Sequence, residues 1–79
     1  MSNKEKYQSI FLDSLSIKKS KFNKNLKYND IPEWDSIGHM TLMSALEEGF
    51  SISMETDDIV EFSSFEKGIE ILKKYKIAI

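Results

Sequence analysis

Cysteine and arginine are both absent from the 79 residues, proline and histidine occur once each, and glycine occurs three times. Without cysteine there is no disulfide framework, no thiol nucleophile and no thiolate metal site, a composition that fits a reducing cytoplasm. After Lys4 and Lys6 the apolar run is only Ile10-Phe11-Leu12, too short for a secretory signal, and no segment has the length needed to span a bilayer. A cytoplasmic protein without membrane insertion is therefore expected. There is no glycine-rich phosphate loop and no histidine pair for a metal. A chain of this length buries only about 60% of its unfolded surface, so one small core is expected, in a single domain over 1–79. A buried active site of several parts does not fit that size, and the chain is not expected to be an enzyme. No second large apolar stripe is present, which points to a monomer.

Charge is absent in one sign over a long stretch. No lysine lies between Lys27 and Lys67, while Asp30, Glu33, Asp35, Glu47, Glu48, Glu55, Asp57, Asp58, Glu61 and Glu66 fall inside that gap. Residues 1–30 carry seven lysines against three acids, and residues 31–79 carry four lysines against ten acids. The acidic part repels nucleic acid and attracts basic partners, or is a solvated face kept for solubility.

What is present reads as four helices and no alternating strand. Tyr7, Ile10, Phe11 and Leu15 recur at helical spacing, with Ser14 completing the stripe and Ser2 or Asn3 as cap. Residues 16–34 lose the period. Their spaced Phe22, Leu26, Tyr28 and Ile31 are expected to dock on the core as a long loop crosses the bundle, and Pro32 stops a helix from running through. A second helix starts at Asp35 or Ser36, with Asp35 as its cap. Its core stripe is His39, Leu42, Met43, Leu46 and Phe50, while Ile37 and Met40 project to the side of Ser44, Glu47 and Glu48. A short third helix covers 56–62, with Thr56 as cap and Ile59, Val60 and Phe62 inward. The fourth begins at "SSFE", where Ser63 and Glu66 have capping-box spacing, and continues through Phe65, Ile69, Leu72 and Tyr75. The expected fold is all-α, a small four-helix bundle with a long loop between helices 1 and 2 and a short third helix.

Few residues are equipped for chemistry. His39 lies three residues after Ser36, but nothing in the sequence orients it, and a satisfied structural histidine is favoured over a catalytic base. Trp34, just before a helix, reads as a packing plug. The acidic "ETDDIVE" lacks the spacing of a calcium loop and reads as a capped helix, so no metal site is expected. Ser36 beside Asp35, with Ile37, Met40, Ser44, Glu47 and Glu48 on the same helix, makes physical sense as a docking surface. The apolar residues supply burial and the carboxylates steer a basic partner. Ordinary surface apolar residues beside a first-turn serine explain the same pattern equally well.

From residue 35 to residue 72, "DSIGHMTLMSALEEGFSISMETDDIVEFSSFEKGIEIL" resembles an acyl carrier protein. Asp35-Ser36-Ile37 is similar to the family's Asp-Ser-Leu attachment motif. Leu42, Ala45-Leu46-Glu47-Glu48 and Phe50 are similar to the middle of its recognition helix, and Asp58-Ile59 and Ser64 to its third and fourth helices. The resemblance implies that a phosphopantetheinyl transferase attaches 4′-phosphopantetheine from coenzyme A to Ser36, making the chain a phosphoprotein, with Asp35 assisting at the transferase's metal. It implies a stand-alone carrier of acyl or aminoacyl groups as thioesters, serving biosynthesis. Ile37, Met40 and Ser44 would meet partner enzymes, and Glu47 and Glu48 would pair with basic docking patches. Those partners would be acyl- or aminoacyl-loading ligases, acyltransferases or synthases. Gly38, His39 and Thr41 stand where bacterial fatty-acid carriers are typically acidic, and residues 1–30 are basic. "WDSIGHM" looks more like carriers of specialised polyketide, aminoacyl or surface-glycan pathways than like housekeeping fatty-acid carriers. Met43, Phe50, Met54, Ile59 and Phe62 would line a cargo pocket or form plain core. The alternative from another class is an unmodified helical protein–protein interaction module.

Overall fold

The computed structural model describes residues 2–79. Four helices follow one another: α1 over Asn3–Leu15, α2 over Ser36–Phe50, α3 over Thr56–Glu61 and α4 over Phe65–Lys74. One 3₁₀ turn, Lys19–Lys21, interrupts the loop between α1 and α2, and no β-strand occurs among the described residues. The fold is an all-α four-helix bundle with a long first loop and a short third helix, as expected.

Caps set the boundaries. Ser2 and Glu5 form a reciprocal capping box at α1, and the Asp35 carboxylate accepts from Gly38 N at 2.8 Å to start α2. Two expected caps are corrected. At α4 the cap is Ser64, whose hydroxyl accepts from Lys67 N at 2.9 Å, because Ser63 gives its carbonyl to Tyr28 N in the adjoining loop. At α3 the cap position is Glu55 rather than Thr56, and no side chain caps that helix.

Three helices end with a non-glycine residue in the left-handed region: Ser16 at φ 54°, Ser51 at 55° and Lys76 at 65°. The following residue, Ile17, Ile52 or Ile77, donates its N–H to the carbonyl of Leu12, Glu47 or Leu72, and its side chain packs on the core. An isoleucine that buries apolar surface at this position offsets the cost, about 1–2 kcal/mol, of left-handed backbone without glycine.

The core is aromatic in the middle. Tyr7, Phe11, Trp34, Phe62 and Phe65 are buried together, with Phe11 edge-on to Trp34 at 5.0 Å and to Phe65 at 5.2 Å. Tyr7 stacks on Phe65 at 4.5 Å and donates its hydroxyl to the Phe65 carbonyl at 2.8 Å; burial pushes its pKa well above the usual phenol value. The α1 stripe is inward as read, although Ile10 is half-buried and Ser14 turns its hydroxyl back to the Ile10 carbonyl. In α4 the buried residues are Phe65, Gly68, Ile71 and Leu72; Ile69 and Tyr75 are half-buried. Gly68 sits where a Cβ would collide with the Tyr7 hydroxyl and the Phe62 ring, so glycine permits α4 to approach α1.

The long loop packs against the core. Leu26 is buried, and Phe22, Tyr28 and Ile31 pack half-buried against the core. Leu26 carbonyl accepts from Phe65 N at 2.9 Å and Tyr28 N donates to Ser63 carbonyl at 2.8 Å. These bonds flank an antiparallel bridge between Lys27 and Ser64 and fasten the loop to the entrance of α4.

One inward assignment in α3 fails. Val60 is 75% exposed, whereas Ile59 is half-buried and Phe62 is 1% exposed. The buried residue of this helix is instead Asp58, 3% exposed. Its carboxylate accepts from Lys74 Nζ at 2.6 Å and from the Tyr75 hydroxyl at 2.5 Å, and that hydroxyl accepts from Glu55 N at 2.9 Å. The network ties α3 to the end of α4.

Candidate functional site

The entrance of α2 is built by its preceding loop. Asn29, at φ 70°, lets the chain turn so that Asn29 N donates to the Trp34 carbonyl at 3.0 Å, and Trp34 N donates to the Ile31 carbonyl at 3.1 Å. A Cβ at Gly38 would collide with the Glu33 carbonyl oxygen, so glycine lets the helix begin directly against this turn. Asp35 therefore caps the helix while Ser36, its first residue, stays exposed.

Trp34 is fully buried, and its indole N–H donates to His39 Nδ1 at 3.0 Å. His39 Nε2 lies 2.8 Å from the Ile59 carbonyl. An indole can only donate and a carbonyl can only accept, so the ring proton of His39 sits on Nε2. His39 is thus the satisfied structural histidine of the sequence reading, joining the loop, α2 and α3. Both of its nitrogens are engaged, and neither is hydrogen-bonded to Ser36.

Beside Ser36 opens a cleft of about 320 Å³. Met40, Ile59, Val60 and Phe62 give it apolar surface, Tyr28 and His39 contribute rings, and the hydroxyls of Ser36 and Ser63 line it as well. Of the five residues considered for a cargo pocket, Ile59 and Phe62 do line this cleft. Met43 and Met54 are buried in the core and Phe50 is half-buried away from the lining set. Tyr28 is the residue that periodicity misses: its hydroxyl lies 3.1 Å from Ser36 Oγ. Tyr28 is outside every helix, so the available sequence signal is the Asn29-Asp30 turn preceding Pro32, which folds the segment back.

The residues expected to face partners are gathered on one side of α2. Ile37 is 78% exposed and Met40 55%, and Ser44 and Glu48 are exposed as well. Val60 extends the exposed apolar set from α3. Glu47 differs: it is half-buried and accepts from Met54 N at 2.7 Å, holding the α2–α3 connection. Asp58 is held below the usual carboxylate range, first by its hydrogen bond to Lys74 and then by Tyr75. No three acidic or histidine side chains come together to hold a metal among the described residues, and none of the described helices is long and apolar enough to cross a membrane.

No family model matches the chain. It is 28% identical over 76 residues to the acyl carrier protein of Solidesulfovibrio magneticus, an alignment covering 96% of this chain and 97% of that protein. The likeness read from residues 35–72 thus extends far beyond that segment. The chain resembles the acyl carrier proteins over nearly its whole length.

Proposed function

We propose that this chain is a carrier that holds 4′-phosphopantetheine on Ser36. The supporting observation is the pairing of an exposed first-turn hydroxyl with an apolar cleft of about 320 Å³ on a chain that contains no cysteine. When bound, the arm supplies the thiol on which acyl or aminoacyl cargo travels as a thioester. The residues fit it: Ser36 is open to a modifying enzyme, and the positive end of α2 favours a phosphodiester there. Asp35 gives one carboxylate oxygen to Gly38 N, which leaves the other for a transferase-bound metal ion. The chain contributes tethering, raising the local concentration of cargo at each partner, and no bond-breaking group of its own.

Ile37, Met40 and Val60 supply the apolar part of the partner surface, with Ser44 and Glu48 beside it. Glu47 contributes charge from a carboxylate already bonded to Met54 N. The partners are a phosphopantetheinyl transferase and loading, acyltransferase or synthase enzymes with basic patches, in the cytoplasm. A specialised polyketide, aminoacyl or surface-glycan pathway is favoured over housekeeping fatty-acid synthesis, because Gly38, His39 and Thr41 leave the first turns of α2 without acidic side chains. The test is intact mass after incubation with coenzyme A, magnesium and a broad-specificity transferase. One phosphopantetheinyl group should appear on the wild type and none on Ser36→Ala. No mass gain on the wild type, with both proteins folded, would leave the interaction-module reading in its place.

A further inference from the structure

We infer that Tyr28 is a positioning residue for Ser36, holding its hydroxyl for modification and then holding the phosphodiester that replaces it. The inference rests on the carrier reading above. Three features fix Tyr28. Its backbone N–H is bonded to the Ser63 carbonyl at 2.8 Å, next to the bridge between Lys27 and Ser64. The turn behind it is closed by Asp30, which accepts from Lys27 N through its carboxylate at 2.9 Å and donates its own N–H to the Lys27 carbonyl at 3.0 Å. Its ring stands edge-on to His39 at 5.4 Å and to Trp34 at 6.2 Å. A tyrosine held at backbone and ring has little freedom left in its hydroxyl, and that hydroxyl meets Ser36 Oγ at 3.1 Å. Ser36, by contrast, is exposed, and its hydroxyl has no other hydrogen-bonding partner among the described residues, so Tyr28 selects its rotamer.

In loading, Ser36 Oγ bonds to the pantetheine-bearing phosphorus of coenzyme A. The pyrophosphate P–O bond breaks, 3′,5′-adenosine diphosphate leaves, and the serine proton passes to a base on the transferase. Tyr28 donates to Ser36 Oγ, leaving the serine's own proton free for that base. Afterwards the same phenol donates to the phosphodiester anion, a charge-assisted bond stronger than the one it replaces. Tyr28 would thereby hold the phosphodiester beside the cleft that it lines together with Ser36.

Tyr28→Phe tests this, because it keeps the ring and its packing. Releasing Ser36 among its three staggered rotamers lowers the productive fraction by up to about threefold. With purified transferase and coenzyme A, kcat for loading should fall about two- to threefold while KM for the carrier stays unchanged, and the ³¹P resonance of the loaded protein should move. Unchanged kcat together with an unmoved ³¹P resonance would overturn the inference and leave the carrier reading intact. Failure of the wild type to gain any phosphopantetheine would overturn both. If Tyr28→Phe does not fold, the ¹³Cζ resonance of Tyr28 is compared between unloaded wild type and Ser36→Ala. It should differ between the two proteins, and coincidence of the resonances would refute the contact.

Discussion

Replacing His39 with alanine removes the acceptor of a fully buried indole N–H and the donor to the Ile59 carbonyl. The orphaned Trp34 N–H costs about 1–3 kcal/mol, since no water reaches a residue with no exposed surface. The Ile59 carbonyl belongs to a half-buried residue and is partly rehydrated, so it adds less. Lost packing against Trp34, Tyr28 and Phe62 adds about 1 kcal/mol, and the better helix propensity of alanine returns about 0.5 kcal/mol. The net expectation is about 2–4 kcal/mol, against about 4–12 kcal/mol for a whole domain of this size. With a urea slope of about 1 kcal/mol/M, the unfolding midpoint should fall by about 2–4 M. The assay is circular dichroism in urea, with exposed Ser44→Ala as a control that should stay within about 0.5 kcal/mol. Trp34→Phe should cost much less in the alanine background than in the wild type, because its partner is already gone. A midpoint fall below about 0.5 M, or strict additivity of the two changes, would refute the argument that His39 is retained as a bridge.

The Asp58 network carries a pH signature. Lys74 and Tyr75 lower the Asp58 pKa, so its contribution to stability is complete above the ordinary carboxylate value and is lost as pH falls through the depressed one. Lys74, whose pKa is raised chiefly by Asp58, works in the opposite sense, its contribution being lost as pH rises through its folded value. Acid and alkaline unfolding followed by circular dichroism should both be blunted in Asp58→Asn, and an unchanged acid limb would count against the pairing. Gly68→Ala should destabilise the bundle by about 1–3 kcal/mol through collision with Tyr7 and Phe62, measurable as a lowered thermal midpoint. Ile37→Glu and Met40→Glu should weaken binding to a loading enzyme while moving stability by less than about 0.5 kcal/mol. Glu48→Lys should slow association and flatten its salt dependence; surface plasmon resonance at two ionic strengths reads both.

The helices legible in the sequence are those long enough to repeat. Over thirteen residues of α1 and fifteen of α2 the apolar period recurs often enough to define a face, and Asp35 announces its helix by chemistry alone. The docking of Phe22, Leu26, Tyr28 and Ile31 could be read because isolated apolar residues in a polar loop have nowhere else to be buried. The six residues of α3 complete fewer than two turns, too little to fix a face. There Val60 turns out to solvent, and Asp58 is buried because Lys74 and Tyr75, sixteen and seventeen residues away, satisfy it. Ser63 and Ser64 both look like caps, and only the loop bond that occupies the Ser63 carbonyl separates them. At the site, Ser36, Asp35 and the exposed Ile37 and Met40 follow from local pattern. The contact of Tyr28 with Ser36 and the bond of Glu47 to Met54 depend on how separate segments meet.

Ser36 is the proposed attachment point, and the absence of lysine and arginine between residues 27 and 67 makes this directly measurable. Trypsin leaves residues 28–67 as one peptide holding Ser36 together with Ser44, Ser51, Ser53, Ser63 and Ser64. Fragment-ion mass spectrometry of that peptide, from protein treated with coenzyme A and transferase, should place a single phosphopantetheinyl group on Ser36 and on no other serine. The group found on a different serine, or a peptide that stays unmodified in folded protein with several transferases, would contradict it.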